Sequence, residues 1–182
     1  MSRVDFPADY HIESLSRSHP RRAFDCGLDE VNDWLATGAL QSQRKHLSVT
    51  RVLLDAAGAI AGYYTLATGQ VDFGDLPPEL AHPLPRRMLP VAVLAWLGVN
   101  RDHQHQRLGS RLLAQALNDC LDAGATFPFV AVILDSLDDR SRDFYRKWGF
   151  AELPGHPYRL YLGIDHLQAI AASSDGTSDL PS

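Results

Sequence analysis

Sulfur chemistry is nearly missing from this chain: two cysteines, Cys26 and Cys120, stand in 182 residues. They form no Cys-x-x-Cys and no pattern of a disulfide framework, so both are expected as free, partly buried thiols in a reducing cytoplasm. No apolar run approaches the length of a membrane span. Met1 to Tyr10 lacks the apolar core of a signal peptide, so no membrane partner is expected. Positive charge is in deficit, with 17 Lys and Arg against 22 Asp and Glu, which on bulk charge argues against a nucleic-acid partner. There is no internal repeat. What remains is the length and ordinary composition of one globular domain with a real core.

The distribution of charge says more than its sum. Between Arg86 and Arg111 five arginines (Arg86, Arg87, Arg101, Arg107, Arg111) face one acid, Asp102. An anionic ligand or a phosphate backbone could find a basic surface there, and solvated arginines are the alternative for each. Apolar periodicity then sets the elements. Asp9 to Leu15 reads as strand, Leu28 to about Gln43 as helix with Asp25 or Asp29 near its start, and Ser48 to Asp55 as strand. A tight turn at Ala56-Ala57-Gly58 leads to a further strand ending at Val71. The prolines of 75–90 predict a loop or a broken short helix. Strand Pro90 to Val99, helix Arg107 to Asp122 stopped by Gly124, and strand Phe129 to Leu134 follow. A helix capped by Asp138 or Asp139 runs to Trp148 with Gly149 at its stop, and Phe150 to Leu153 and Arg159 to Gly163 are strands. This order argues a mixed α/β domain with a central sheet.

The most informative stretch is the passage from strand to helix, Leu97-Gly98-Val99 through Arg107-Leu108-Gly109-Ser110-Arg111. Its polar turn lies where the first amides of a helix have no acceptor, so free N–H groups and the helix dipole offer a place for a phosphate or pyrophosphate. Gly109 admits close approach, and Arg107 and Arg111 add charge. An ordinary strand–turn–helix with solvated arginines stays open beside that reading.

Two motifs together resemble the GNAT superfamily of acetyl-CoA-dependent N-acetyltransferases. Gln104-His105-Gln106-Arg107-Leu108-Gly109 aligns with the family's Q/R-x-x-G-x-G/A loop, with Arg107 in place of the first glycine. Asp138, Ser141, Phe144, Tyr145, Gly149 and Phe150 align with N-x-x-A-x-x-F-Y-x-x-x-G-F, Asp138 replacing Asn and Ser141 replacing Ala. The resemblance implies a single α/β (mixed α+β) domain over 1–164, its central twisted sheet mostly antiparallel, splayed at the acetyl-CoA site and flanked by helices. A partly disordered tail is expected over 165–182. It also implies acetyl-CoA as cosubstrate, held by Leu97, Gly98, Val99, Gln104 to Arg111, Asp138, Ser141 and Phe144. Phe24-Asp25-Cys26-Gly27, Gly62 to Leu66 and Tyr158 to Leu162 resemble the subgroup of toxins that acetylate aminoacyl-tRNA, although Trp96 and Asn100 depart from that subgroup. It would bring charged tRNA and a ribbon-helix-helix antitoxin as partners, with a homodimer as a mild expectation.

The chemistry so implied is direct attack of a neutral amine on the thioester. A backbone N–H at the strand end Leu97–Val99 would face the oxyanion. Tyr145, in the family's position, would protonate the leaving thiolate, while Phe144 is expected in the core. An α-amine of pKa about 7.7–8 is on the order of a tenth neutral at pH 7, and a lysine amine well under about a thousandth. No carboxylate stands out as a base, which favours an α-amine acceptor or a water relay. His103-x-His105 lacks a third ligand at a recognisable spacing, so no metal is expected and both histidines should line the loop. Ser110, without a His/Asp set, reads as a helix-start hydroxyl near a phosphate. Trp34, Trp96 and Trp148 read as core or cleft wall, and Cys120 as buried and inert. Two rival readings stay open: an enzyme for a small-molecule amine or protein N-terminus, and a non-catalytic module that binds acetyl-CoA or a partner.

Overall fold

The computed structural model describes residues 4–174, so the expected disorder at the end of the tail falls mostly outside them. The elements are β1 (His11–Ser14), α1 (Asp29–Asp33), α2 (Ala39–Arg44), β2 (Val49–Leu54), β3 (Ile60–Asp72), α3 (Pro78–Ala81), β4 (Met88–Val99), α4 (Leu108–Gly124), β5 (Ala131–Asp135), α5 (Asp139–Arg146), β6 (Ala151–Leu153), β7 (His156–Gly163) and α6 (Ile164–Ser174). The strands hydrogen-bond in the order β1-β2-β3-β4-β5-β7-β6. The β4–β5 pair is parallel, while β1–β2, β2–β3, β5–β7 and β6–β7 are antiparallel. This is the mixed α/β, mostly antiparallel sheet expected from the resemblance.

Two compact units share these elements, one of residues 4–67 with 94–116 and one of residues 68–93 with 117–174. In the first, Val31, Leu35 and Ala39 sit on the helical face that packs on Val52, Ile60 and Tyr63. The helix is not regular: a π turn, Trp34–Gly38, separates α1 from α2. Gly38 is needed there, because a Cβ would lie 2.7 Å from Cε3 of Trp34. The indole instead stacks on Trp96 at 5.6 Å and 15° and donates to Thr65 Oγ1 at 3.0 Å. Such π turns are rare and occur mostly as single-turn interruptions of an α-helix.

In the second unit Val71, Leu76, Leu89, Val91, Ile133 and Leu153 form a core. The registered parallel pairs are Ala92↔Val132 and Val93↔Ile133, while β4 itself runs on to Val99. The proline-rich stretch forms a short 3-10 turn, Phe73–Asp75, and the single turn α3. Gly124 closes α4 from inside rather than stopping it from outside, since Phe129 packs 2.9 Å from where its Cβ would be. No helix among the described residues is long and apolar enough to cross a membrane.

Candidate active site

The loop after β4 is built from its root. Asn100 caps the 3-10 turn Arg101–His103, its side chain accepting from Asp102 N–H at 3.1 Å, and its own N–H donates to Ala61 O at 2.8 Å. Gln104 folds back so that Nε2 donates to Val99 O at 3.1 Å and to Cys26 O at 3.2 Å. Its N–H donates to Arg101 O at 3.4 Å. The Gln104 amide therefore braces the root of the loop against the end of β4, and His105, Gln106 and Arg107 after it are exposed.

Next come two left-handed residues, His105 at φ 65 and Arg107 at φ 57. L-residues pay about 1–2 kcal/mol for that conformation, and glycine avoids the cost. Arg107 occupies the family's glycine position and adopts a backbone conformation that glycine reaches without that cost, while carrying a guanidinium. Left-handed residues beside ordinary ones are the backbone ingredient of anion-binding nests. The first hydrogen bond of α4 is Arg111 N–H to Arg107 O at 3.2 Å, so Leu108, Gly109 and Ser110 N–H have no acceptor one turn earlier. Leu108 and Ser110 are buried, whereas His105, Gln106 and Arg107 are exposed. The Arg111 guanidinium is partly committed: Nη1 donates to Asp5 O, and Nε is buried without a hydrogen-bond partner among the described residues.

At the strand end Gly98 is buried, and a Cβ on it would stand 2.8 Å from Val31 Cγ1 and 3.3 Å from Phe24 Cζ. Leu97 and Val99 beside it are half-buried. Both ring nitrogens of His103 are occupied, Nδ1 by Tyr10 Oη at 2.8 Å and Nε2 by Asp55 Oδ2 at 3.3 Å. His105 is exposed. Sequence reasoning passed over Tyr10 and Asp55, which lie far from the loop along the chain and carry no motif. The expected basic run is also less free than its composition implies: Arg101 Nε lies 3.6 Å from Asp25 Oδ2, and Arg86 lies over the Phe73 ring at 5.7 Å.

The second unit places the other motif on α5. Asp138 and Ser141 form a reciprocal capping box: Ser141 N–H donates to Asp138 Oδ1 at 2.7 Å, and Asp138 N–H donates to Ser141 Oγ at 3.1 Å. The Ser141 N–H holds the Asp138 carboxyl below its ordinary range. The replacements of Asn by Asp and Ala by Ser thus form a two-sided cap. Tyr145 is 8% exposed, and its ring meets Phe144 at 5.2 Å and Phe150 at 5.8 Å, both edge-on. Burial pushes its phenol pKa well above the ordinary value, so the group is a protonated donor throughout the neutral range. Phe144 is only half-buried, contrary to its expected place in the core: the helix turns the tyrosine inward and leaves the phenylalanine at the margin. Gly149, at φ 93 with His166 Cε1 only 2.6 Å from a would-be Cβ, ends the motif in a turn that a side chain would block. Trp148 is buried, and Trp34 and Trp96 are half-buried. Cys120 is buried on α4, its thiol pushed up to about 12 by desolvation.

The loop after β4 thus carries exposed left-handed residues ahead of helix-start amides, and α5, taken by itself, carries a buried, protonated phenol. The pattern of the acetyltransferase (GNAT) family matches residues 9–150. Over 148 residues, the chain is 30% identical to the tRNA-acetylating toxin of Mycobacterium tuberculosis, covering 81% of this chain and 88% of that protein. It is 25% identical over 169 residues to the probable toxin TacT of Sinorhizobium fredii, covering 87% and 93%. The solved structure of AtaT complexed with acetyl-methionyl-tRNAfMet matches with a TM-score of 0.82 at 24% identity, over 90% of this chain and 99% of that one. This chain belongs to the acetyltransferase (GNAT) family and is an acetyl-CoA-dependent N-acetyltransferase.

Proposed function

We propose that the acceptor is the α-amine of aminoacyl-tRNA, and that the protein acts in the cytoplasm as the toxin of a toxin–antitoxin module. The observation that carries this reading is the 30% identity, across 81% of the chain, to a protein named for acetylating tRNA. The pKa of an α-amine supports it: on the order of a tenth is neutral at pH 7, so a strong base is unnecessary.

In this reading the pyrophosphate of acetyl-CoA rests on the N–H groups from His105 to Ser110, with the Arg107 guanidinium beside them and Arg111 adding charge at the first turn. The amine attacks the thioester carbonyl, and an N–H at Leu97–Val99 faces the oxyanion. As the carbon–sulfur bond breaks, Tyr145 Oη gives its proton to the thiolate. The amine's surplus proton leaves through water, and a proton returned through water restores the Tyr145 phenol. Asp138, Ser141 and Phe144 serve by setting the start and side of the helix that carries Tyr145.

The test offers labelled acetyl-CoA to methionyl-tRNA, uncharged tRNA, peptides with free N-termini and a panel of small amines. Label is expected on charged tRNA alone and is lost with Tyr145→Phe, and expression of the wild type is expected to arrest growth. Label on peptides or small amines with charged tRNA untouched overturns the acceptor assignment. The related AtaT has been seen bound to the C-terminus of the antitoxin AtaR. A ribbon-helix-helix antitoxin is accordingly proposed here, and its co-expression should restore growth.

A further inference from the structure

The N-terminal segment touches both flanks of the loop. On one side Tyr10 Oη lies 2.8 Å from His103 Nδ1 and donates to Gln106 Oε1 at 3.2 Å. On the other, Asp5 O accepts from Arg111 Nη1. Between these anchors the segment is turned by Tyr10 N–H donating to Pro7 O at 2.9 Å. We propose that residues 5–10 form a positioning strap, with Tyr10, His103 and Asp55 as its relay, that holds the acetyl-CoA loop in its ligand-ready form. The inference rests on the assignment of that loop made under the proposed function.

The relay is anchored at its far end. Asp55 Oδ1 accepts from Ala57 and Ala59 N–H, both at 2.9 Å, which fixes the carboxylate in the β2–β3 turn. Its other oxygen lies 3.3 Å from His103 Nε2, and the two side chains are only 20% and 18% exposed. The imidazole thus sits between the Asp55 carboxylate on one side and the Tyr10 hydroxyl on the other. The Tyr10 ring then meets the imidazole edge-on, 5.6 Å between centroids at 82°. Each link thus restricts the next, from the hairpin turn to Gln106.

The loop needs such support. His105 and Arg107 are left-handed residues without glycine's freedom, and such a backbone persists only where its surroundings over-determine it. A loop that relaxes must be re-ordered by its ligand, so apparent affinity falls in proportion to the competent fraction. The chemical step does not involve the strap. Loosening it is therefore expected to raise KM and Kd for acetyl-CoA while leaving kcat in place.

Tyr10→Phe keeps the ring contact and removes both hydrogen bonds, and Asp55→Asn weakens the anchor. For each, acetyl-CoA Kd by calorimetry, steady-state KM and kcat, and the thermal midpoint are compared with the wild type. The expected result is a rise of about three- to ten-fold in Kd and KM, the range of one or two lost hydrogen bonds, with kcat within about two-fold. An unchanged Kd in Tyr10→Phe, or a loss confined to kcat, overturns the strap. Should Asp55→Asn fail to fold, Tyr10→Phe decides alone. Gly109→Val in the same assay separates the two layers. If it abolishes acetyl-CoA binding while Tyr10→Phe changes nothing, the strap is wrong and the loop assignment stands. If Gly109→Val also binds normally, both are wrong.

Discussion

Replacing Arg107 by glycine and, separately, by alanine divides what its backbone costs from what its side chain contributes. At φ 57 an L-residue pays about 1–2 kcal/mol that glycine does not. Glycine in turn loses about 0.5–1 kcal/mol more chain entropy on folding than alanine. The difference leaves Arg107→Gly more stable than Arg107→Ala by roughly 0.5–1 kcal/mol, or about 1–4 °C for a chain of this size. Neither variant carries the guanidinium, so both should lose the same acetyl-CoA affinity. That loss should be about five- to ten-fold, the lower range of a charge-assisted contact made in solvent. Thermal unfolding of the free protein followed by circular dichroism reads the first quantity, and titration calorimetry the second. A glycine variant no more stable than the alanine variant refutes the left-handed assignment of Arg107. Affinities equal to the wild type refute its part in holding phosphate.

Tyr145→Phe should lower kcat by about a hundred-fold or more with little change in acetyl-CoA Kd, in the range of a lost general acid. Because burial raises the phenol pKa, kcat of the wild type should show no alkaline fall from this group up to about pH 10, its ordinary value. Gly98→Ala places a Cβ 2.8 Å from Val31 Cγ1 and should cost about 1–3 kcal/mol of stability in urea titration. Gly62→Ala should be worse, since its Cβ would stand 3.0 Å from the backbone Gly98 O and 2.6 Å from Leu112. Asp138→Ala removes the α5 cap and should cost about 1 kcal/mol. The Asp138 carboxyl is depressed in the folded state, so the stability it contributes is present above about pH 4. It is lost as pH falls through the lower folded value, and the gap between wild type and variant should close on acidification.

Local signals carried far in this chain. The leucine spacing from Leu108 to Leu117 marked α4, the capping residues Asp138 and Ser141 marked the start of α5, and Gly149 marked its end, because each depends on neighbours within a turn or two. Other features had no such signal. The π turn Trp34–Gly38 carries an indole whose partners, Trp96 and Thr65, come from other elements. Helix periodicity marks α5 as one-sided but does not choose between adjacent Phe144 and Tyr145, and the packing against Phe150 chose the tyrosine. The resemblance identified Arg107 as a departure, but only the backbone shows that this arginine is left-handed.

Periodicity, caps and motif spacing are written along the chain, so the mixed α/β class and the order of the loop and tyrosine motifs were legible there, and the resemblance of those motifs pointed to the acetyltransferase family. What braces the loop was a matter of tertiary contact. Gln104 holds its root to β4, and Tyr10 reaches His103 and Gln106 from the N-terminal segment. Contacts between residues so far apart in the chain leave no periodicity to read, and are set by which surfaces the folded sheet and helices bring together.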